Sequence, residues 1–242
     1  MATLDANNTW ALILSAINRS NVTLPVPGSD QPVLRLNGKS WELLGQATDE
    51  VRSLLSLFLP LCQPVRNASG TWVIGQLGQS LDGRIATVTG CSRFINGDDG
   101  ITHLHRIRAL SDAVVVGAGT AVTDNPRLTV RRASGANPVR VVIDRKRRVP
   151  ASHHVFTDAE APTLHLVAGD YDPARKPEQT GLVTIIPCLG AADSPTPVAP
   201  ELILHVLRDA GLHKIFIEGG GVTVSSFLNA GLLDRLHVMV AP

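Results

Sequence analysis

Cysteine is scarce in this sequence. Cys62, Cys91 and Cys188 stand far apart with no C-x-x-C spacing, so neither a zinc site nor a disulfide framework is expected. Isolated thiols fit a reducing cytoplasm. Charge of one sign is also missing. Lys+Arg 22 against Asp+Glu 21 leaves a formal net charge of +1, which argues against nucleic acid or a membrane surface as partner. No apolar run approaches the ~20 residues that a bilayer span needs. Met1 to Trp10 carries Asp5 and no Lys or Arg, and the apolar stretch from Trp10 stops at Ser15, so no secretory signal is expected. The N-x-S/T triplets at Asn7, Asn18, Asn21 and Asn67 then read as accidents of composition. The histidines form no metal-binding constellation, and repeats and low-complexity tracts are absent.

What remains is a globular chain. Hydrophobic residues make up 44% of 242, enough for one sizeable core and a second small domain. Texture changes near residue 70. Before it, Asn18 to Pro32 reads as loop, and Thr48 to Leu59 as a helix that Pro60 ends. Residues 1–70 are therefore expected to form a short helical N-terminal extension of unassigned role. From Thr71 onward strands and helices alternate. Strands are expected at Trp72–Leu77, Asp112–Val116, Val139–Ile143, Thr163–Val167, Val183–Ile186, Lys214–Ile217 and Leu236–Val240. Helices are expected at Gly97–Leu110, Glu201–Ala210 and Val222–Ala230. The valine run of the second strand marks burial on both faces. Such alternation implies an α/β fold with a mostly parallel sheet and flanking helices.

Ile215-Phe216-Ile217-Glu218-Gly219-Gly220-Gly221 carries the sharpest chemistry. A strand ends in three glycines and a helix begins, so the backbone can approach a ligand and the helix offers free N–H groups to an anion. A tight turn without ligand is the plainer reading. Glu218 stands at the carboxyl end of its strand, where open α/β sheets place ligands. Gly117-Ala118-Gly119 makes a second glycine turn, but Val122 replaces the third glycine of a dinucleotide fingerprint. Asp82-Gly83 is a common turn pair. Thr120 and Asp124 have the i,i+4 spacing that puts two side chains on one helix face. The basic run Arg145-Lys146-Arg147-Arg148 suits a phosphate, such as the 2′-phosphate of NADP, or a solvated turn. His153-His154 falls in an expected loop.

In this order the pieces resemble the pyrimidine reductases of riboflavin biosynthesis. The markers are Ser80-Leu81-Asp82-Gly83-Arg84, the stretch Thr120 to Arg131, Val142-Ile143-Asp144, Glu218-Gly219-Gly220-Gly221 and Ala230-Gly231-Leu232-Leu233-Asp234. The resemblance covers residues 71–242. It implies a dihydrofolate-reductase-like fold, NADPH as cofactor, a phosphorylated ribosylaminopyrimidine as substrate, and the homodimer that such proteins often form. It assigns substrate contacts to Ser92, Arg108, Leu128, Arg131 and Glu218, with Glu218 also the catalytic candidate. It assigns NADPH contacts to Gln79, Phe94, Thr120, Asp124, Arg145, Gly220, Gly221, Val222, Thr223, Val224, Ser225 and Ser226. Arg108 and Arg131 suit the substrate phosphate. No metal is implied.

Three departures from the family pattern stand out. Gln76 occupies the position of a lysine that reaches the substrate, Gln79 that of a small residue, and the sequence ends at Pro242 where further strands are expected. Residues 1–70 hold neither an H-x-E nor a P-C-x-x-C zinc signature, so no accompanying deaminase is expected. The departures keep two alternatives open. One is the same fold and cofactor acting on a different aminopyrimidine. The other is a non-catalytic nucleotide-binding module.

Overall fold

Alternating burial and turn residues organise the N-terminal part of the computed structural model, which describes residues 4–65, 67–85 and 97–241. The chain divides into two compact units, Met1–Arg66 and Asn67–Pro242. In the first, α1 (Ala6–Ser15) is capped by the Asp5 side chain, which accepts from Asn8 N–H at 2.7 Å. Strands β1 (Val22–Pro25), β2 (Pro32–Asn37) and β3 (Ser40–Leu43) form an antiparallel sheet in that order. Helix α2 (Asp49–Cys62) starts at the Thr48 cap. Trp10 meets Phe58 edge to face, with ring centroids 5.4 Å apart, and joins α1 to α2.

Two expectations fail in this unit. The Asn18–Pro32 loop contains β1, because antiparallel pairing to β2 supplies order that local composition does not. Pro60 does not end α2. Its fixed φ is compatible with a helix, and burial of Leu61 and Cys62 holds the last turn in place.

The second unit is built on an eight-stranded sheet. Its strands are β4 (Trp72–Ser80), β5 (Ala113–Gly117), β6 (Val139–Ile143), β7 (Thr163–Val167), β8 (Glu178–Thr180), β9 (Val183–Pro187), β10 (Lys214–Glu218) and β11 (Arg235–Ala241). The spatial order is β11-β4-β10-β5-β6-β7-β9-β8, and every pairing is parallel except β8 with β9. The helices are α3 (Asp98–Ala109), α4 (Ala118–Asp124), α5 (His154–Thr157), α6 (Pro200–Asp209) and α7 (Gly221–Asn229). Val115, Val141, Leu166, Ile215 and Ile217 pack with Ile203, Leu207, Val224 and Phe227 into one core. Strands buried on both faces in this way read as continuous apolar runs, which is why β5, β6 and β7 were visible in the sequence.

Helix α5 replaces the loop expected at His153–His154. The side chain of Asn125 accepts from His154 N–H at 2.9 Å and helps start that short turn of helix. Strand β11 is an edge strand. It pairs with β4 from Arg235↔Ile74 to Ala241↔Ser80, and leaves Leu236, Val238 and Val240 exposed.

Topology fixes where a ligand can sit. The chain runs from β5 outward through β6 and β7, then returns to insert β10 between β4 and β5. The carboxyl ends of β4, β10, β5 and β6 thus lie side by side, at the kind of crevice where open α/β sheets bind ligands.

Candidate active site

A cavity of about 660 Å³ opens at that edge. Its lining includes Gln76 to Gly78 of β4, Gly117 to Thr120, Thr123 and Asp124 around α4, and Glu218 to Thr223 at the start of α7. The volume lies in the range of small-ligand sites.

Two glycine turns face each other across the cavity, each receiving a threonine from the other. A Cβ on Gly117 would lie 2.6 Å from Thr223 Oγ1, and one on Gly220 would lie 2.7 Å from Thr120 Oγ1. Gly219 and Gly220 also have φ of 71° and 70°, the left-handed region that other residues enter at a cost. At Gly220 glycine is therefore required twice over, by conformation and by close approach. A Cβ on Gly221 would meet Ile85 Cδ1 at 2.4 Å, so that side chain leans over the start of α7.

Glu218 ends β10, and its carboxylate is gripped by Arg108 of α3. Arg108 Nε donates to Oε2 at 2.7 Å and Nη2 donates to Oε1 at 2.5 Å. The third contact of Arg108 is Nη1 to the carbonyl of Thr129, at 2.8 Å. The pair is largely buried, with side-chain exposures of 8% and 14%. A bidentate fork in that setting fixes the direction of the carboxylate. Arg131 joins the group by donating to Thr129 Oγ1 at 2.6 Å, while its backbone N–H donates to His105 Nδ1 at 2.9 Å. Burial, then the Arg108 charge, holds Arg131 below its ordinary value. Burial first, then Arg108, pushes His105 down to about 4, which keeps Nδ1 free to accept.

Beside Glu218 the polar row continues across neighbouring strands. Glu218 is in register with Gln76, and Gln76 with His237. Gln76 Nε2 donates to Met239 Sδ at 3.5 Å, and its buried Oε1 has no hydrogen-bond partner among the described residues. His237 Nδ1 lies 3.0 Å from His103 Nε2 of α3. Burial brings both rings down to about 4, with Arg106 next for His103, His103 next for His237, and Arg235 acting on both.

The structure gathers some of the expected residues and separates others. Glu218, Arg108 and Arg131 come together, but Arg108 is committed to Glu218. Leu128 sits close by in sequence at φ 56° and is buried. Thr120, Asp124, Gly220, Gly221, Val222 and Thr223 all line the cavity. Val224 instead faces the core, and Gln79, Ser225 and Ser226 are not on the wall. Arg145 is also absent from the wall, because its Nη1 donates to the carbonyls of Ser194 at 3.1 Å and Thr196 at 2.7 Å. Ser92 and Phe94 lie outside the described residues. Asp82-Gly83 forms a turn, with Gly83 N–H donating to Ser80 O at 2.9 Å and Gly83 at φ 79°. Sequence reasoning did not single out Leu104, Thr123 or Arg148 as lining. Arg148 lay within the basic run, whereas a lone apolar residue on a helix gives no signal.

Fold and site together define an α/β protein with a glycine-lined ligand crevice at the carboxyl edge of a parallel sheet. Comparison with known proteins makes the class specific. The profile of the RibD C-terminal domain matches residues 71–242. The chain is 37% identical over 174 residues to the 2,5-diamino-6-ribosylamino-4(3H)-pyrimidinone 5′-phosphate reductase of Methanothermobacter thermautotrophicus, covering 71% of this chain and 77% of that protein. It is 30% identical to the riboflavin biosynthesis protein RibD of Aquifex aeolicus, covering 94% of this chain and 63% of that one. A solved Thermotoga maritima deaminase/reductase matches with a TM-score of 0.58 at 28% identity, covering 79% of this chain and 49% of the other. The chain thus spans less than two thirds of the first of these last two relatives and about half of the second. It belongs to the RibD C-terminal domain family, the pyrimidine reductases of riboflavin biosynthesis, and has their dihydrofolate-reductase-like fold. Among the described residues no helix is long and apolar enough to cross a membrane.

Proposed function

We propose that this protein is an NADPH-dependent reductase acting in the cytoplasm on 5-amino-6-(5-phosphoribosylamino)uracil. The carrying observation is the pair of opposed glycine turns beside a buried, arginine-held glutamate, in a chain of this family. The turns fit a dinucleotide, since glycine backbone lines the cavity wall and α7 presents its N-terminal N–H groups there. A reduced nicotinamide held along this wall would supply the hydride that reduces the sugar C1 of a ring-opened imine. The chain aligns the two carbons and excludes water. Arg108 holds the Glu218 carboxylate in one orientation, where it orients the substrate amine and relays to it a proton drawn from solvent. The product carries a ribitylamino group in place of the ribosylamino group.

The test is a thermal shift with NADPH, followed by loss of reduced-nicotinamide absorbance on adding the substrate. A ligand at 100 times its Kd adds about 2.7 kcal/mol of stability. No shift overturns the cofactor assignment. A shift without turnover overturns the substrate.

Gln76 favours a second substrate. The family pattern has a lysine at this place, a group that can only donate, as to a ring carbonyl. The buried, unpartnered Oε1 of Gln76 instead accepts, and so fits a ring amino group. The archaeal relative is named for a pyrimidinone that carries such a 2-amino group. Comparing kcat/KM for the two substrates decides between them, and Gln76→Lys is expected to move the preference toward the uracil.

A further inference from the structure

Four arginines gather where the segment after α4 passes α3, and three of them are matched by a carboxylate. Arg108 pairs with Glu218, Arg127 with Glu160 and Arg132 with Asp98. Arg131 is exposed as a residue and, among the described residues, forms no ion pair. Its backbone is nevertheless closely held. Val130 N–H donates to Asn137 Oδ1 at 2.7 Å and Arg131 N–H to His105 Nδ1 at 2.9 Å, so side chains replace the backbone partners that a helix or strand would give. Leu128, just before them, is buried at φ 56°, a region that leucine enters at a cost. A segment in that state keeps its shape only because its surroundings fix it.

Helix α3 supplies two of those fixings from one face. His105 and Arg108 are three residues apart, the spacing of neighbours on a helix surface. Arg108 Nη1 donates to Thr129 O and His105 Nδ1 accepts from Arg131 N–H, so the helix grips the segment on both sides of Val130. The His105 ring is buried, and the bond needs a bare Nδ1, which leaves the ring proton on Nε2. Burial and the nearby Arg108, Arg131 and Arg132 keep the ring uncharged against the pull of Glu218. We infer that His105 is the positioning residue for Arg131: by accepting from its backbone N–H, it sets the reach of the one unmatched guanidinium to the substrate phosphate, and with it the preference for a phosphorylated over a dephosphorylated substrate. This rests on the phosphorylated substrate proposed above.

Steady-state kinetics on the full chain tests it, with the better of the two pyrimidines proposed above and the same compound without its phosphate. The wild type is expected to prefer the phosphorylated form by about 10- to 100-fold in kcat/KM, the scale of one charge-assisted hydrogen bond, and Arg131→Ala to lose most of that preference. His105→Leu is expected to raise KM for the phosphorylated form by about 10-fold, with its kcat, the KM of the dephosphorylated form and the Kd of NADPH each within about 2-fold. His105→Asn places an acceptor oxygen near the site of Nδ1 and is expected to restore most of the preference. If the leucine variant does not fold, His105→Gln takes its place, since its oxygen lies one bond further out. In the Arg131→Ala background, loss of the His105 ring is expected to change the preference no further. An equal rise in both KM values, an asparagine variant no better than leucine, or additive losses in the double variant overturns the inference. If Arg131→Ala keeps the preference, the inference falls and the reductase reading stands. If the wild type reduces neither compound, both fall.

Discussion

The two ends of the cavity treat charge in opposite ways. At the β10–β4 end, among the described residues, charge is answered from within, with Arg108 on Glu218 and Thr129 on both arginines, and the uncharged rings of His103 and His237 meet each other. At the β5–β6 end the wall offers glycine backbone and one exposed, unpaired arginine. The first end is organised before any ligand arrives, as a site that must hold reacting atoms in line should be. The second keeps its donors available, as a site that must capture an anion should. The difference separates orientation from capture along one sheet edge.

Breaking the first end should have the largest effect. Arg108→Ala leaves the Glu218 carboxylate buried without its partner, and we expect a loss of about 3–5 kcal/mol in denaturant unfolding, with turnover abolished. The double change Arg108→Met with Glu218→Leu should recover much of that stability and none of the activity. Recovery of both would show that the pair is only structural. Glu218→Gln keeps the shape and should lower kcat more than it changes cofactor Kd.

The glycine turns come next. Gly220→Ala puts a side chain at φ 70° and against Thr120, and is expected to cost about 1–3 kcal/mol. It should also weaken NADPH and NADH alike.

Acid should separate the ends again. His103, His105 and His237 all lie at the first end, with values near 4 against an ordinary 6.5. The unfolded chain therefore takes up protons more readily than the folded one. Stability is fully present above pH 6.5 and falls as pH drops toward 4. Hydrogen exchange across this window should show α3 opening before α4. Simultaneous opening would contradict the separation.

Smallest of all should be Arg127→Ala. It removes an exposed pair with Glu160 and is expected to change stability by about 0–1 kcal/mol.

Much of the second unit was legible because its strands are buried on both faces and its helices carry one apolar stripe. The range of β6 is the expected one, and β10 extends it by a single residue, Glu218. Strand β8 was not legible, since all three of its residues are exposed and pairing with β9 alone creates it. The N-terminal sheet was missed for a related reason, its strands being short and ordered by their partners. Glu218 and its glycines were visible because chemistry and turn geometry coincide in one short stretch. The grip of Arg108 on Glu218 was not, because it joins residues 110 positions apart. The commitment of Arg145 to the carbonyls of Ser194 and Thr196, with Arg148 on the cavity wall instead, was hidden too. It depends on how the Asp144 carboxylate folds the turn by accepting from Arg148 N–H and Val149 N–H, and four adjacent basic residues do not reveal which of them that turn points inward.

The reciprocal fit of Thr120 with Gly220 and Thr223 with Gly117 bears on how this sequence can vary. Each glycine is small because a threonine from the opposite turn fills its space, so neither turn can be enlarged alone. Exchange of either loop with that of a relative therefore has to import both halves of the contact together. In a lineage, Gly117 with Thr223 and Gly220 with Thr120 should change as pairs or stay as they are, which makes them two linked characters and not four independent ones.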